Sequence, residues 1–153
     1  MAPVPPPGIE ISTDPGRLDV GLIHDFLRGS YWSPGIPRDI VERAIENSLC
    51  FGAYQGARQV GFARVVTDRT TFAWLCDVFV VEGHRRRGIA DALVSTVMAH
   101  PQLQGLRRWS LATRDAHALY RRHGFAPLEN PGRMMEIRRG DIYLEAAQGK
   151  PQP

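Results

Sequence analysis

The run 72-FAWLCDVFVV-81, 82-EGHRRRGIA-90, 91-DALVSTVM-98 decides how the chain folds. Its first part is apolar and β-rich, which suits a buried strand. Its last part carries apolar residues at helical spacing. Between them lies a short turn crowded with arginine and glycine. The first amides of a helix lack internal partners, and the helix dipole places partial positive charge there. Gly83 and Gly88 allow the backbone to bend and a ligand to come close. Arg85, Arg86 and Arg87 add full charges beside those amides. Such a corner suits a pyrophosphate. A solvated basic loop that happens to precede a helix would look the same, and these residues alone leave both readings open.

The same residues resemble a known family. Arg85-Arg86-Arg87-Gly88-Ile89-Ala90 matches the Arg/Gln-x-x-Gly-x-Gly/Ala signature of the GNAT superfamily, the acetyl-CoA-dependent N-acyltransferases. A second match, Asp115-Ala116-His117-Ala118-Leu119-Tyr120 running into Gly124-Phe125, is similar to the later helix of that family. The motifs stand in the family's order, with a strand before the first and a helix after it. The resemblance covers roughly residues 9–139 and is strongest over 72–126. It implies a GNAT fold: one α/β domain, a twisted mixed sheet of about seven strands, and helices on both faces.

Size and composition agree with one domain. A chain of 153 residues can bury a core without disulfides or metals. No apolar run reaches membrane-spanning length, and the start, MAPVPPPGIE, lacks the cationic and apolar regions of a signal peptide. Cys50 and Cys76 show no metal or redox spacing, so buried free thiols in a reducing, cytoplasmic setting are expected. The net charge is +3, and Lys150 is the one lysine among 19 basic residues. A basic surface can attract nucleic acid, but no nucleic-acid motif accompanies the arginines.

Residues 1–8 are proline-rich and expected to be mobile, as is the tail 146–153, leaving 9–145 as the domain. Residues 9–13 read as a first strand and Asp14-Pro15-Gly16 as a turn. Leu18, Leu22, Ile23, Phe26 and Leu27 mark one face of a helix. A second helix begins near Pro37, which suits a first-turn position, and uses Ile40, Val41, Ala44 and Ile45. Residues 49–55 and 59–67 read as a hairpin around Gly56-Ala57-Arg58, and 71–81 as the long central strand. Pro101 stops the helix that follows. A strand is expected at 108–112. Asp115 reads as the N-cap of a short helix, and Gly124 with Phe125 as its C-terminal closure. Residues 125–128 and 134–138 then read as a last antiparallel pair.

Asp77 is the most informative single side chain. Strict alternation places it on one face with Leu75 and Phe79. A carboxylate there is costly to bury alone, so it is either paired or faces a cavity. A local bulge would change its face. The resemblance implies that an acid at this position binds or deprotonates an acceptor amine. A free amine has a reference pKa of about 10 and arrives protonated, so it must lose a proton before it attacks a thioester. By the same resemblance Tyr120 is the general acid that protonates the departing thiolate, although its helical spacing also fits a core aromatic. The family pattern further implies that backbone groups of Phe79, Val80 and Val81 hold the pantetheine arm, and that Arg85, Arg86, Arg87, Gly88, Ile89 and Ala90 hold the pyrophosphate of acetyl-CoA. Thr113 stands where the family often has an asparagine. Tyr31, Trp32 and Trp74 are candidate walls of an acceptor pocket, or aromatics that cap the core edge. His117 reads as a surface residue. No metal site is expected.

The sequence therefore points to an acetyl-CoA-dependent N-acetyltransferase acting by direct attack on a small-molecule or protein amine, with a homodimer possible. Two other classes compete with it: a non-catalytic acyl-CoA sensor, and a small basic nucleic-acid-binding protein.

Overall fold

The computed structural model describes residues 4–147; of the two segments expected to be mobile, 1–3 and 148–153 lie outside the described residues. The centre is a five-stranded mixed sheet in the order β1 (Ile9–Ser12), β2 (Leu49–Gln55), β3 (Arg58–Thr67), β4 (Phe72–Val80), β5 (Arg108–Ser110). The first four strands are antiparallel and β5 runs parallel to β4. Gln55 faces Arg58, so Gly56-Ala57 makes a two-residue turn, with Gly56 at φ 60°. Asp68 holds the next turn. Its carboxylate accepts the amides of Thr70, Thr71 and Phe72 and the Thr71 hydroxyl. Those bonds, led by the Thr71 amide, hold its carboxyl far below the ordinary carboxylate range.

Among the described residues five α-helices accompany the sheet: α1 (Val20–Arg28), α2 (Arg38–Glu46), α3 (Ile89–Ala99), α4 (His117–Arg121) and α5 (Ile142–Ala147). Asp19 caps α1 by accepting the Leu22 amide at 3.0 Å, which leaves Leu18 just outside the helix. Pro37 is the N-cap of α2 rather than its first-turn residue.

The alternation of the strands divides the core in two. On one face Ile89, Leu93, Val94 and Val97 of α3 pack against Phe51, Val60, Ala63, Val65, Ala73 and Leu75. On the other, Ile23 and Leu27 of α1 and Val41 of α2 pack against Cys50, Phe62 and Phe79. Gly61 lets α3 come close, since a Cβ there would lie 3.1 Å from Leu93 Cδ1 and 3.2 Å from the Phe79 carbonyl oxygen.

The fold class is as expected, but the sheet has five strands rather than about seven. The last expected pair, 125–128 with 134–138, does not form. Pro127 offers no backbone donor. Pro131–Arg133 coil into a 3-10 turn, and the two arms part: 125–128 stay beside the extension of β5, while Arg138 lies by Tyr31. Beyond them, α5 sets Tyr143 against the second core cluster. Ala146 and Ala147, expected to begin a mobile tail, belong to this helix.

Candidate active site

β4 and β5 are joined over three residue pairs, from Phe72 with Arg108 to Trp74 with Ser110. Beyond Trp74 the ladder ends, while β4 continues to Val80. The gap is a cleft of about 340 Å³. Trp74, Leu75, Cys76, Asp77 and Val78 line one wall, and Ala112, Thr113, Arg114, Asp115 and Ala116 the other. Tyr31, Trp32, Tyr120 and Arg138 complete it. All three expected acceptor-side aromatics and both expected catalytic residues therefore meet in one cleft.

Asp77 reaches that cleft through a bulge. Arg64 pairs with Cys76 and Phe62 with Phe79, so Ala63 alone faces Asp77 and Val78. Asp77 takes φ 54°, a left-handed conformation unusual for a residue with a side chain. The extra residue breaks the alternation. Leu75 belongs to the α3-side core and Phe79 to the α1-side core, where it stacks on Phe26 at 3.9 Å between ring centroids. The expectation that Leu75, Asp77 and Phe79 share a face is thus corrected. Asp77 is both paired and cleft-facing. Its Oδ2 accepts Arg64 Nε at 2.8 Å and its Oδ1 accepts Trp32 Nε1 at 2.8 Å. Arg64 is fixed in turn by donating from Nη1 to Ser48 Oγ at 3.1 Å. The Asp77 side chain is 10% exposed. Two of a carboxylate's roughly four acceptor positions are filled, and the rest stay available to a ligand.

Tyr120 is set by the ends of a short helix. Asp115 is not its N-cap: the cap residue is Ala116, and Thr113 Oγ1 accepts the Ala116 amide at 3.0 Å. Asp115 instead pairs with Arg114 at the rim, at 3.3 Å. The helix closes as expected. Gly124, at φ 94°, donates to the Arg121 carbonyl, and Phe125 donates to the Tyr120 carbonyl at 3.2 Å, the two bonds of a Schellman motif. Phe125 meets the Tyr120 ring edge to face. The Tyr120 hydroxyl has no hydrogen-bond partner among the described residues. Burial pushes its phenol up to about 12, with Tyr31 and Cys76 adding to the effect. Cys76, on the cleft wall, is also pushed up to about 12 by burial.

At the far end of β4 the arginine-rich turn forms a separate groove of about 240 Å³, lined by Val80, His84, Arg85, Arg86, Gly88, Ile89, Ala90, Asp91, Leu119 and Arg122. Arg86 and Gly88 both adopt left-handed φ, 64° and 80°, and Gly88 is the N-cap of α3 without a side-chain cap. The opening amides of α3 therefore stay available, and alternating handedness of this kind turns successive N–H groups into one concavity. Asp91 is the acid in the first turn, and it is turned to other partners. Arg122 holds it with two bonds, at 2.8 and 3.2 Å, and His123 with one at 2.9 Å. The donors fit an anion with several oxygens. Of the residues expected to meet the pantetheine arm, Val81 donates to the Val60 carbonyl at 2.9 Å and Phe79 pairs with Phe62 of β3. Val80 faces the open edge of β4, where its carbonyl accepts Arg85 Nε at 3.1 Å.

Sequence reasoning passes over Arg64, Arg114 and Arg138. A lone arginine in the apolar run 60-VGFARVV-66 is the signal for Arg64. Arg114 lies over the Tyr31 ring at 3.9 Å, and its amide donates to Tyr31 Oη at 3.0 Å. Among the described residues no group of His, Cys, Asp and Glu could hold a metal, and no helix is long and apolar enough to cross a membrane.

Comparison with known proteins agrees with this geometry. A family model described as an acetyltransferase (GNAT) domain matches residues 46–127. A protein of Gibberella zeae named as a candidate acetyltransferase is 30% identical, over 72% of this chain and 74% of its own. A crystal structure of a GNAT-family protein from Xanthomonas campestris pv. campestris, also named as a candidate acetyltransferase, is 53% identical, with a TM-score of 0.88 over 90% of this chain and 97% of that one. A protein of Clostridium acetobutylicum named as a candidate acetyltransferase and solved with acetyl-CoA shares the fold alone, with 13% identity and a TM-score of 0.65 over 85% and 96% of the two chains.

Proposed function

The chain belongs to the GNAT acetyltransferase family, and from that premise we propose that it moves an acetyl group from acetyl-CoA to a primary amine by direct attack. The observation that carries the reading is the meeting of Asp77, Tyr120 and the aromatics Tyr31, Trp32 and Trp74 in the cleft where β4 and β5 part. Acetyl-CoA would supply an activated thioester and a pyrophosphate. In this reading the amides and guanidiniums of Arg85–Ala90 hold the pyrophosphate and the Val80 amide pairs with the arm; the groove beside the opening of α3 supports it.

Asp77 offers its remaining acceptor positions to the amine and takes its proton, directly or through water. Arg64 and Trp32 orient the carboxylate for that contact. Tyr120 keeps its proton at neutral pH and lends it to the departing sulfur. Its high pKa does not forbid the step. Burial also raises the Cys76 thiol on the same cleft wall, so a sulfur leaving into comparable surroundings holds a proton more tightly than it would in water. The same burial keeps Cys50 and Cys76 as thiols, which disfavours an acyl-cysteine step although Cys76 lines the cleft. Two unpaired thiols also support a cytoplasmic setting.

The test is a thermal shift with acetyl-CoA, followed by thiol release with a panel of amines. Stabilisation by acetyl-CoA and release that depends on one amine class are expected. Stabilisation without release under any amine would leave a sensor in place of an enzyme. No stabilisation would remove the reading altogether.

A further inference from the structure

We propose that the acceptor is a small primary amine with an apolar body and an anionic oxygen group, carboxylate or phosphate, at its far end, and that Arg138 binds that anion. The inference rests on the acetyl-transfer reading and names its second substrate. It starts from the charges that border the cleft. Among the lining residues Asp77 and Asp115 are the acids, and Arg114 and Arg138 the bases. Asp77 is answered from behind by Arg64 at 2.8 Å, and Arg64 does not line this cleft. Arg114 is answered at the rim by Asp115 at 3.3 Å. Arg138 makes no ion pair among the described residues.

The Arg138 side chain is exposed, yet its guanidinium has a seat. Its Cζ, Nη1 and Nη2 all stand 3.3 Å from the point where a Cβ on Gly140 would lie, so the planar group rests over that glycine. Its N–H edge stays free for a carboxylate or a phosphate, whose oxygens the guanidinium fork matches. Arg138 borders the Tyr31 cleft and is not among the residues of the groove at the arginine-rich turn. The anion it suits is therefore on the acceptor side, not on the cofactor.

The walls between the charges suit an apolar body. Trp32 spends its indole N–H on Asp77. The Tyr31 hydroxyl accepts the Arg114 amide, and the Arg114 guanidinium lies over the Tyr31 ring. With those polar atoms taken, Tyr31, Trp32 and Trp74 offer ring surface. A volume of about 340 Å³ is at the small end for a ligand site. An acceptor that is only a cation, such as a diamine, would leave Arg138 unanswered and add a like charge beside it. An acceptor with an anion at its far end pairs both charges, the ammonium at Asp77 and the anion at Arg138.

The test gives the full chain acetyl-CoA with matched amines: para-aminomethyl benzoate, its carboxamide, para-aminomethyl phenyl phosphate and para-xylylenediamine. Thiol release is expected with kcat/KM at least about tenfold higher for the benzoate or the phosphate than for the carboxamide, and lowest for the diamine. The better of the two anionic amines identifies the anion. Arg138→Gln is expected to reduce that preference to about twofold or less, through KM rather than kcat, and Arg138→Lys to keep part of it. Arg138→Glu is expected to turn the preference toward the diamine. Circular dichroism checks that each variant is folded. Calorimetric titration of the two anionic amines into protein saturated with coenzyme A reads the contact without turnover. Binding that Arg138→Gln weakens about tenfold, with no thiol release, would keep the anion site and remove acetyl transfer. Release with the carboxamide or the diamine equal to that with the anionic amines, or a preference that survives Arg138→Gln, would overturn the proposal and leave acetyl transfer standing. Neither binding nor release with either anionic amine would overturn it as well.

Discussion

Asp77 and the Arg85–Arg87 turn lie on one stretch of chain, yet their charges are handled in opposite ways. At the cleft, Asp77 has a partner on each oxygen, and Arg64 is fixed in turn by Ser48. Both side chains are mostly buried, 10% and 20% exposed. At the corner, Arg86 and Arg87 are exposed and make no ion pair among the described residues, and the helix opens without a side-chain cap. Asp77, the acceptor end in the proposed function, is completed by the fold itself, whereas Arg86 and Arg87, part of the proposed anion end, are left exposed. Under the proposed function, a charge positioned for chemistry is built in, and charges meant for a mobile anion stay solvated.

Arg64→Ala gives the sharpest break. It leaves Asp77 without its cation in a mostly buried place, and a loss of about 3 kcal/mol in urea unfolding is expected. If Arg64→Ala were as mild as Arg86→Ala, expected within about 0.5 kcal/mol of wild type, the contrast between the two ends would fail. Tyr120→Phe comes next. It keeps the ring packed on Phe125 and removes the proton, so kcat should fall about 10²-fold with little change in the KM for acetyl-CoA. The wild-type rate should show no loss from Tyr120 ionisation until the pH nears 12. A change in KM alone would move Tyr120 from the chemistry to the packing.

Arg86→Glu should act at the other end, raising the KM for acetyl-CoA about tenfold at low salt and less at high salt, with kcat nearly unchanged. A change in kcat at constant KM would erase the division between the two regions. The smallest effect concerns Asp91, which joins α3 to α4 below the corner. Its carboxyl is held below the usual value, chiefly by the Arg122 hydrogen bonds. The folded state therefore binds that proton less readily than the unfolded chain. Its contribution to stability is present above the unfolded value near 4 and is lost as pH falls through the lower folded one. The side chain is 41% exposed, so Asp91→Asn should flatten the acid limb of stability only slightly at neutral salt.

Much of this is legible in the residue order. Strand β4, the glycine-bearing turn, α3 and the closing Gly124-Phe125 are specified by local rules: apolar spacing, a left-handed position, an orphan carbonyl. Those rules act over a few residues and need no knowledge of the rest of the chain. The face of Asp77 is not legible. It depends on Ala63 facing two residues, and on partners 13 and 45 positions away, Arg64 and Trp32. The final strand pair departs from expectation for a related reason. Apolar residues at 125–128 and 134–138 favour extended backbone, but they do not say which edge will supply the hydrogen bonds.

The sequence by itself determined that a strand would run into an arginine-rich turn and a helix, because each of those conformations is chosen by neighbours along the chain. Only the tertiary structure decided that β4 and β5 part after Trp74, that a bulge turns Asp77 into the opening, and that Tyr31, Trp32 and Tyr120 meet it there. Those outcomes depend on register between strands and on packing across two cores, and both are set by contacts between residues far apart in sequence.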